Sequence, residues 1–183
     1  MPDNKIIIGL VGQIAAGKGT AAKYLENKYQ ASVHRFSTIL RDVLKRLHLE
    51  INRQNLQNLS TVLRKNFGED ILAKVISEDV RNDPNKIIVI DGIRRLADIK
   101  YLKKLSAFKM IRIVANPEIR YQRLINRGEN EDDKKKTYKE FLAEQKKEAD
   151  AETPRVMAEA EIEINNDKSL TELHDQIDKI VKL

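Results

Sequence analysis

The chain has 183 residues with 34 lysines and arginines against 28 acids, a formal net charge of +6 and an isoelectric point near 9.4. That length suits one domain able to bury a core unaided, and no apolar run approaches the ~20 residues that span a bilayer. The absence of cysteine excludes disulfides and thiolate metal sites, and the polar start before the first strand leaves no signal peptide in view, so a cytoplasmic protein is expected. The surplus of cations fits a basic surface or a cleft built for several phosphates; nucleic-acid binding is not the expected reading.

Strand-like and helix-like stretches alternate along the chain, the pattern of an α/β domain with a parallel sheet. Ile6, Ile7, Ile8, Leu10 and Val11 form the continuous apolar run of a strand buried on both faces. A glycine-rich segment follows, and residues 20–28 read as a helix. A short strand at 32–36 leads into helical patterns at about 38–48, 53–67 and 69–81. Residues 87–90 form a second buried strand ending at Asp91, then a helix at about 95–105 and a strand at 110–114. Asn116, Pro117 and Glu118 supply a capping side chain, a proline at the first helical position and an acid in the first turn, so a helix runs from there to Arg127 and stops at Gly128. A last strand is expected at 161–164, and Ser169 with Glu172 makes a capping box for a final helix. No repeat or linker divides the chain, so residues 1–183 are expected to be one domain. The charge run at 129–136 reads as a solvated tip, within a candidate mobile lid at about 128–150.

Gly12-Gln13-Ile14-Ala15-Ala16-Gly17-Lys18-Gly19-Thr20 lies between the first strand and its helix, the context that gives the spacing G-x-x-x-x-G-K its meaning. Glycines at these places let backbone N–H groups ring an anion, and the helix N-terminus adds its positive end. Gly12, Ala15, Ala16, Gly17, Lys18, Gly19 and Thr20 are therefore expected to hold ATP, with Lys18 on the β- and γ-phosphates and Thr20, one residue later than the usual hydroxyl, near magnesium. The partner of such a cradle is an acid at the end of a neighbouring buried strand, and Asp91 occupies that place. Arg120, Arg123 and Arg127 share one face of the helix after Pro117, at offsets of three and four. Arginine suits phosphoryl transfer because its planar fork binds two oxygens and keeps its charge. Arg123 and Arg127 are candidate phosphate-binding cations; Arg120 is assigned to the surface. Arg64 and Arg155 are further candidate cations. The histidines (34, 48 and 174) lack metal-ligand spacing and are read as structural, and the tyrosines are expected to pack.

Strand–GxxxxGKGT–helix, a second strand closing in Asp91-Gly92-Ile93-Arg94-Arg95, and the later Arg-x-x-x-Arg together resemble the adenylate-kinase-like nucleoside monophosphate kinases. From Lys5 to the C-terminal helix the chain is similar to small archaeal and bacterial relatives described as dephospho-CoA kinase-like or deoxynucleoside monophosphate kinase-like. The resemblance implies a three-layer P-loop NTPase fold with a mostly parallel five-stranded sheet, a central cradle strand and a short helical lid without zinc. It implies transfer of the γ-phosphate of ATP, with magnesium, to a nucleoside or deoxynucleoside monophosphate. Lys18, Arg95, Arg123 and Arg127 then act on the transferring group, and Thr20 and Asp91 hold magnesium through water. The acceptor docks in a region at about 37–80 and 91–95, through Ser37, Thr38, Arg41, Arg64, Asp91 and Arg95. Ala15 replaces a glycine common in such cradles. A dephospho-CoA kinase or other small-molecule kinase is the nearest alternative, and an ATP-operated regulatory module the alternative of another class. No Asn-Lys-x-Asp motif points to guanine.

Overall fold

The computed structural model describes residues 5–127, 133–144 and 152–182. Five strands, β1 (Ile6–Val11), β2 (Ser32–Arg35), β3 (Ile87–Asp91), β4 (Phe108–Val114) and β5 (Ile162–Asn165), form one sheet in the order β2-β3-β1-β4-β5. Every pairing is parallel, so the sheet is wholly parallel, and β1 is its centre. Parallel strands need crossovers that cover both faces, which explains why Ile7, Ile8, Leu10 and Val11 are all buried rather than alternately so.

The helices are α1 (Lys18–Tyr29), α2 (Phe36–Arg46), α3 (Arg53–Phe67), α4 (Ile71–Asn82), α5 (Leu96–Ile99), α6 (Pro117–Arg127), α7 (Tyr138–Glu144), α8 (Thr153–Ala158) and α9 (Leu170–Val181). One apolar layer joins Ile7, Val11, Ile88 and Ile90 of the sheet to Leu40 of α2, to Leu72, Ile76 and Val80 of α4, and to Val156 of α8. The opposite layer joins Ile8, Leu10, Val89 and Ile111 to Ala21, Ala22 and Leu25 of α1 and Leu173, Ile177 and Ile180 of α9. The fold is thus three layers, helices–sheet–helices. Far from the cradle, Asp178 clasps α9 to α1 by accepting from Tyr24 (2.8 Å), Tyr29 (2.7 Å) and Lys28 (2.6 Å), while His174 stacks on Tyr24 at 3.7 Å.

The expected helix starts hold. Asn116 Oδ1 accepts the N–H of Glu118 at 2.9 Å, and Ser169 with Glu172 forms its capping box. The expected stop at Gly128 lies outside the described residues. The single helix expected at 95–105 is instead the short α5 followed by a separate 3₁₀ turn, Leu102–Lys104. At the start of α5, Asp98, only 2% exposed, accepts the N–H groups of Arg94 and Arg95 and the guanidinium of Arg64, which ties that first turn inward. Among the described residues no helix is long and apolar enough to cross a membrane.

Candidate active site

β1 delivers the chain to the carboxyl edge of the sheet, where residues 12–17 turn before α1. Gly12 sits so close to β4 that a Cβ there would meet the Ile113 carbonyl oxygen at 2.5 Å. Ala15 (φ 58°) and Gly17 (φ 110°) are left-handed. Left-handed residues set among right-handed ones make successive N–H groups converge, the concavity that binds anions. Gly17 is required twice over, since any Cβ would also stand 2.1 Å from the Asn166 amide nitrogen. Ala15 carries the strain of its conformation with a single methyl group.

Two buried side chains hold this loop from behind. Asn166, 5% exposed after β5, donates its amide to the Ala16 carbonyl at 2.8 Å, while its own N–H donates to Val114 at 2.8 Å. Arg120, 1% exposed, donates from Nη1 to the Ile14 carbonyl at 3.3 Å and from Nε to Ala115 at 3.1 Å. Among the described residues no peptide bond is cis. In a trans peptide the C=O and the next N–H point in opposite directions. Carbonyls 14 and 16 turned toward Arg120 and Asn166 therefore turn the N–H groups of Ala15 and Gly17 away from those two side chains. Sequence reading assigned Arg120 to the surface, because charge defaults to solvent; its partners exist only in the folded chain. The available signal was its position four residues before the core residue Leu124, and for Asn166 its place just past the last strand.

Lys18 Nζ donates to the Gly12 carbonyl at 2.6 Å and the Gln13 carbonyl at 3.1 Å, so the lysine arches over the loop it belongs to. Gly19 and Thr20 are exposed at the first turn of α1, and a Cβ at Gly19 would meet nothing within 4 Å. Asp91 follows Ile90, the register partner of Gly9, and so stands on the neighbouring strand where β1 enters the cradle. Its Oδ2 accepts from Arg35 Nε at 3.3 Å, a residue at the end of β2 that sequence reading passed over. Among the described residues no group of three histidines, cysteines or acids could hold a metal ion alone. A magnesium ion here would rely on phosphate oxygens and water, with Thr20 and Asp91 outside them, a donor set that suits magnesium.

Ser37, Thr38 and Arg41 lie along the first turns of α2, Ser37 half-buried and Thr38 and Arg41 exposed. Arg64 is turned inward: it is 7% exposed, 2.8 Å from Asp98, and bonded to the Glu69 carbonyl. A guanidinium so enclosed shapes the 92–98 loop. Arg95, on that loop, is partly exposed and pairs with Glu69 at 3.1 Å. Arg123 is half-buried with one buried guanidinium nitrogen lacking a protein hydrogen bond. It lines a cleft of about 580 Å³ with Glu118, Ile119, Gln122, Asn126 and Tyr138. Arg127 is exposed at the end of α6, and Arg155 is exposed on α8.

Of the expected lid, residues 133–144 are described, and they are docked. Asp133 and Phe141 are each 1% exposed, the Tyr121 hydroxyl donates to the Lys136 carbonyl at 2.9 Å, and Tyr138 and Phe141 pack around Tyr121. The solvated tip expected at 129–136 is therefore corrected at Asp133 and at Lys136, whose side chain is 7% exposed and 3.7 Å from Asp133. The other residues of that run up to 132 lie outside the described ones.

Two UPF0200 proteins are similar along nearly the whole chain: one from Methanocaldococcus jannaschii is 27% identical over 181 residues, covering 97% of this chain and 89% of that protein. One from Thermococcus onnurineus is 29% identical over 182 residues, covering 97% of each. Among solved structures, a shikimate kinase from Bacteroides thetaiotaomicron superposes with a TM-score of 0.65 at 14% identity, over 97% of both chains. The shikimate kinase of Aquifex aeolicus superposes with a TM-score of 0.54 at 20% identity, over 97% of this chain and 96% of that one. The chain thus has the fold of the P-loop small-molecule kinases. The profile of the AAA domain family matches residues 11–141, from the last residue of β1 through the cradle to the docked lid segment, and the chain belongs to that family.

Proposed function

We propose that this protein transfers the γ-phosphate of ATP to a nucleoside or deoxynucleoside monophosphate. The observation that supports the reading is a glycine-containing turn between β1 and α1 with Lys18 arched over it, together with further arginines outside that turn. Lys18 and the N–H groups of residues 15 and 17 serve the donor triphosphate. Arg35, which reaches Asp91 at 3.3 Å, the exposed Arg41 of α2 and the partly exposed Arg95 just after β3 would hold a second phosphate. A switch that only binds ATP has no use for this second set.

Phosphoryl transfer asks a protein for positioning and for neutralisation of spread-out charge rather than for covalent chemistry. Lys18 would leave the Gly12 and Gln13 carbonyls for the β- and γ-phosphates. Arg95 would exchange Glu69 for the acceptor phosphate, held in line by the loop that Asp98 and Arg64 shape. Arg123 and Arg127 would close on the transferring group with the lid and exclude water that would otherwise hydrolyse ATP. Magnesium, when bound, would neutralise phosphate charge, with Thr20 and Asp91 as its holders through water. ATP and magnesium are thus the donor and cofactor, a small nucleotide is the partner, and a cytoplasmic setting suits the chemistry. A kinase for another small molecule is the second reading, favoured by the likeness in fold to the shikimate kinases, one of which, from Acinetobacter baumannii, was solved with shikimate.

A series of bisubstrate compounds, adenosine joined through a polyphosphate chain to each common nucleoside, tests the proposal. One member should bind at least a hundredfold tighter than ATP, because joining the halves makes the second binding intramolecular. If no member exceeds ATP, the nucleotide-acceptor reading is wrong.

A further inference from the structure

Arg120 has no place in the transfer scheme above, yet it is the largest fully buried side chain among the described residues. Burying a guanidinium is costly, and burial here pulls it below its ordinary arginine value. Leu124, one turn later and fully buried, fills its own space with hydrocarbon alone. What Arg120 touches separates it from a packing residue. Its Nη1 reaches the Ile14 carbonyl in the cradle at 3.3 Å. Its Nε reaches the Ala115 carbonyl at 3.1 Å, in the connection from β4 into α6. Its guanidinium carbon lies 5.4 Å from the ring centroid of Phe141, a buried residue of the lid segment. One rigid fork therefore touches both the loop that would receive the phosphate and the helix that would cover it.

We propose that Arg120 is a positioning residue for the donor phosphate: it aims the Ala15 N–H into the cradle and makes the docking of α7 depend on that peptide. The inference rests on the cradle being the triphosphate site. Arg120 donates to the Ile14 carbonyl, the opposite side of that peptide from the Ala15 N–H that would meet an anion, so it acts through the backbone. An anion accepting from the Ala15 N–H polarises that peptide and makes the Ile14 carbonyl a better acceptor, which strengthens its bond to Arg120. A more firmly held guanidinium offers Phe141 a better-fixed cationic face, and cation–π attraction gains most in a desolvated site. Filling of the cradle is thereby felt at α7 with no lid side chain touching the phosphate. The left-handed Ala15 makes the link necessary: a residue strained at φ 58° drifts toward ordinary backbone unless something outside it holds its peptide plane.

Hydrogen–deuterium exchange with inorganic tripolyphosphate as the probe, beside a titration with a fluorescent ATP analogue and magnesium, tests this. In the wild-type protein saturating tripolyphosphate should slow exchange of the amides at 138–144. Arg120→Met keeps the volume and removes the charge, a change that protein interiors tolerate. It should bind tripolyphosphate about tenfold more weakly and, at saturation, show no slowing in α7. Arg120→Lys, which restores a donor and a charge, should recover part of both effects. Phe141→Leu cuts the other end of the link and should bind the probe within threefold of wild type while losing the α7 response, which keeps the inference testable if Arg120→Met does not fold. An α7 response that survives in Arg120→Met, or in Phe141→Leu, overturns the inference and leaves the cradle reading standing. Failure of the wild-type protein to bind either probe overturns both.

Discussion

Removing the Asn166 side chain isolates one of the two struts behind the cradle. Asn166→Ala keeps the backbone bond to Val114 but deletes the amide that donates to the Ala16 carbonyl at 2.8 Å, at a position 5% exposed. The carbonyl is left without its donor where water has little access, which costs about 1–3 kcal/mol. For a domain of this size each kcal/mol lowers the melting temperature by about 2–4 °C, so a fall of roughly 2–12 °C is expected. Binding should fall further than stability alone requires, because the 16–17 peptide is then free to rotate its N–H out of the concavity. Asn166→Asp separates the two effects: it places an acceptor, and at neutral pH a negative charge, against a carbonyl and beside an anion site. Titration with a fluorescent ATP analogue should show Asn166→Asp binding at least tenfold more weakly than Asn166→Ala. Urea unfolding that puts Asn166→Ala within 0.3 kcal/mol of wild type, with unchanged nucleotide affinity, would refute the strut argument.

Lys18→Ala should lower phosphoryl transfer by ~10²–10³ while the protein stays folded, since the lysine faces the cradle rather than the core; turnover within threefold of wild type would contradict the cradle. Ala15→Gly relieves a left-handed alanine worth about 1 kcal/mol of strain against a comparable loss of backbone freedom. Thermal unfolding should therefore show a change between zero and about 1 kcal/mol of added stability, and a loss above that amount would contradict the assigned conformation. Asp83 governs a pH effect. Burial alone would raise its carboxyl, but the Ser32 hydroxyl, the Asn85 N–H and His34 outweigh it and hold it lowered to about 2. A group with a lowered folded value contributes stability above its unfolded value of about 4 and loses it as pH falls toward 2, a contribution of roughly 2 kcal/mol. Asp83→Asn should flatten the stability profile over that window; a parallel profile would contradict the assignment.

The strands were legible because parallel crossovers bury both faces, so Ile6 to Val11 and Ile87 to Ile90 appear as unbroken apolar runs that nothing else in the chain imitates. The cradle was legible for a related reason, since its glycines answer a local demand of backbone geometry: Gly17 is left-handed and touches Asn166. What supports the cradle was not legible. Arg120 and Asn166 work through carbonyls brought to them from 106 and 150 residues away in the chain, and the one local hint of Arg120's burial is the apolar Leu124 one turn on. Asp133 escaped notice in the same way: inside a run of acids and lysines, only packing against α6 distinguishes it from its neighbours. Arg64 reads in the sequence as a candidate cation for the acceptor, and its contacts with Asp98 and the Glu69 carbonyl are long-range partners that no local pattern reveals.

The most direct test of the account is ATP consumption by the purified protein, with magnesium, against each common ribo- and deoxyribonucleoside monophosphate, dephospho-CoA and shikimate in turn, with the products identified by mass. The account predicts that one or a few of the monophosphates accelerate ADP formation at least a hundredfold over ATP alone, with one diphosphate formed for each ADP. Acceleration by dephospho-CoA or shikimate alone would contradict the nucleotide acceptor, and no acceleration by any of them would contradict a two-substrate kinase.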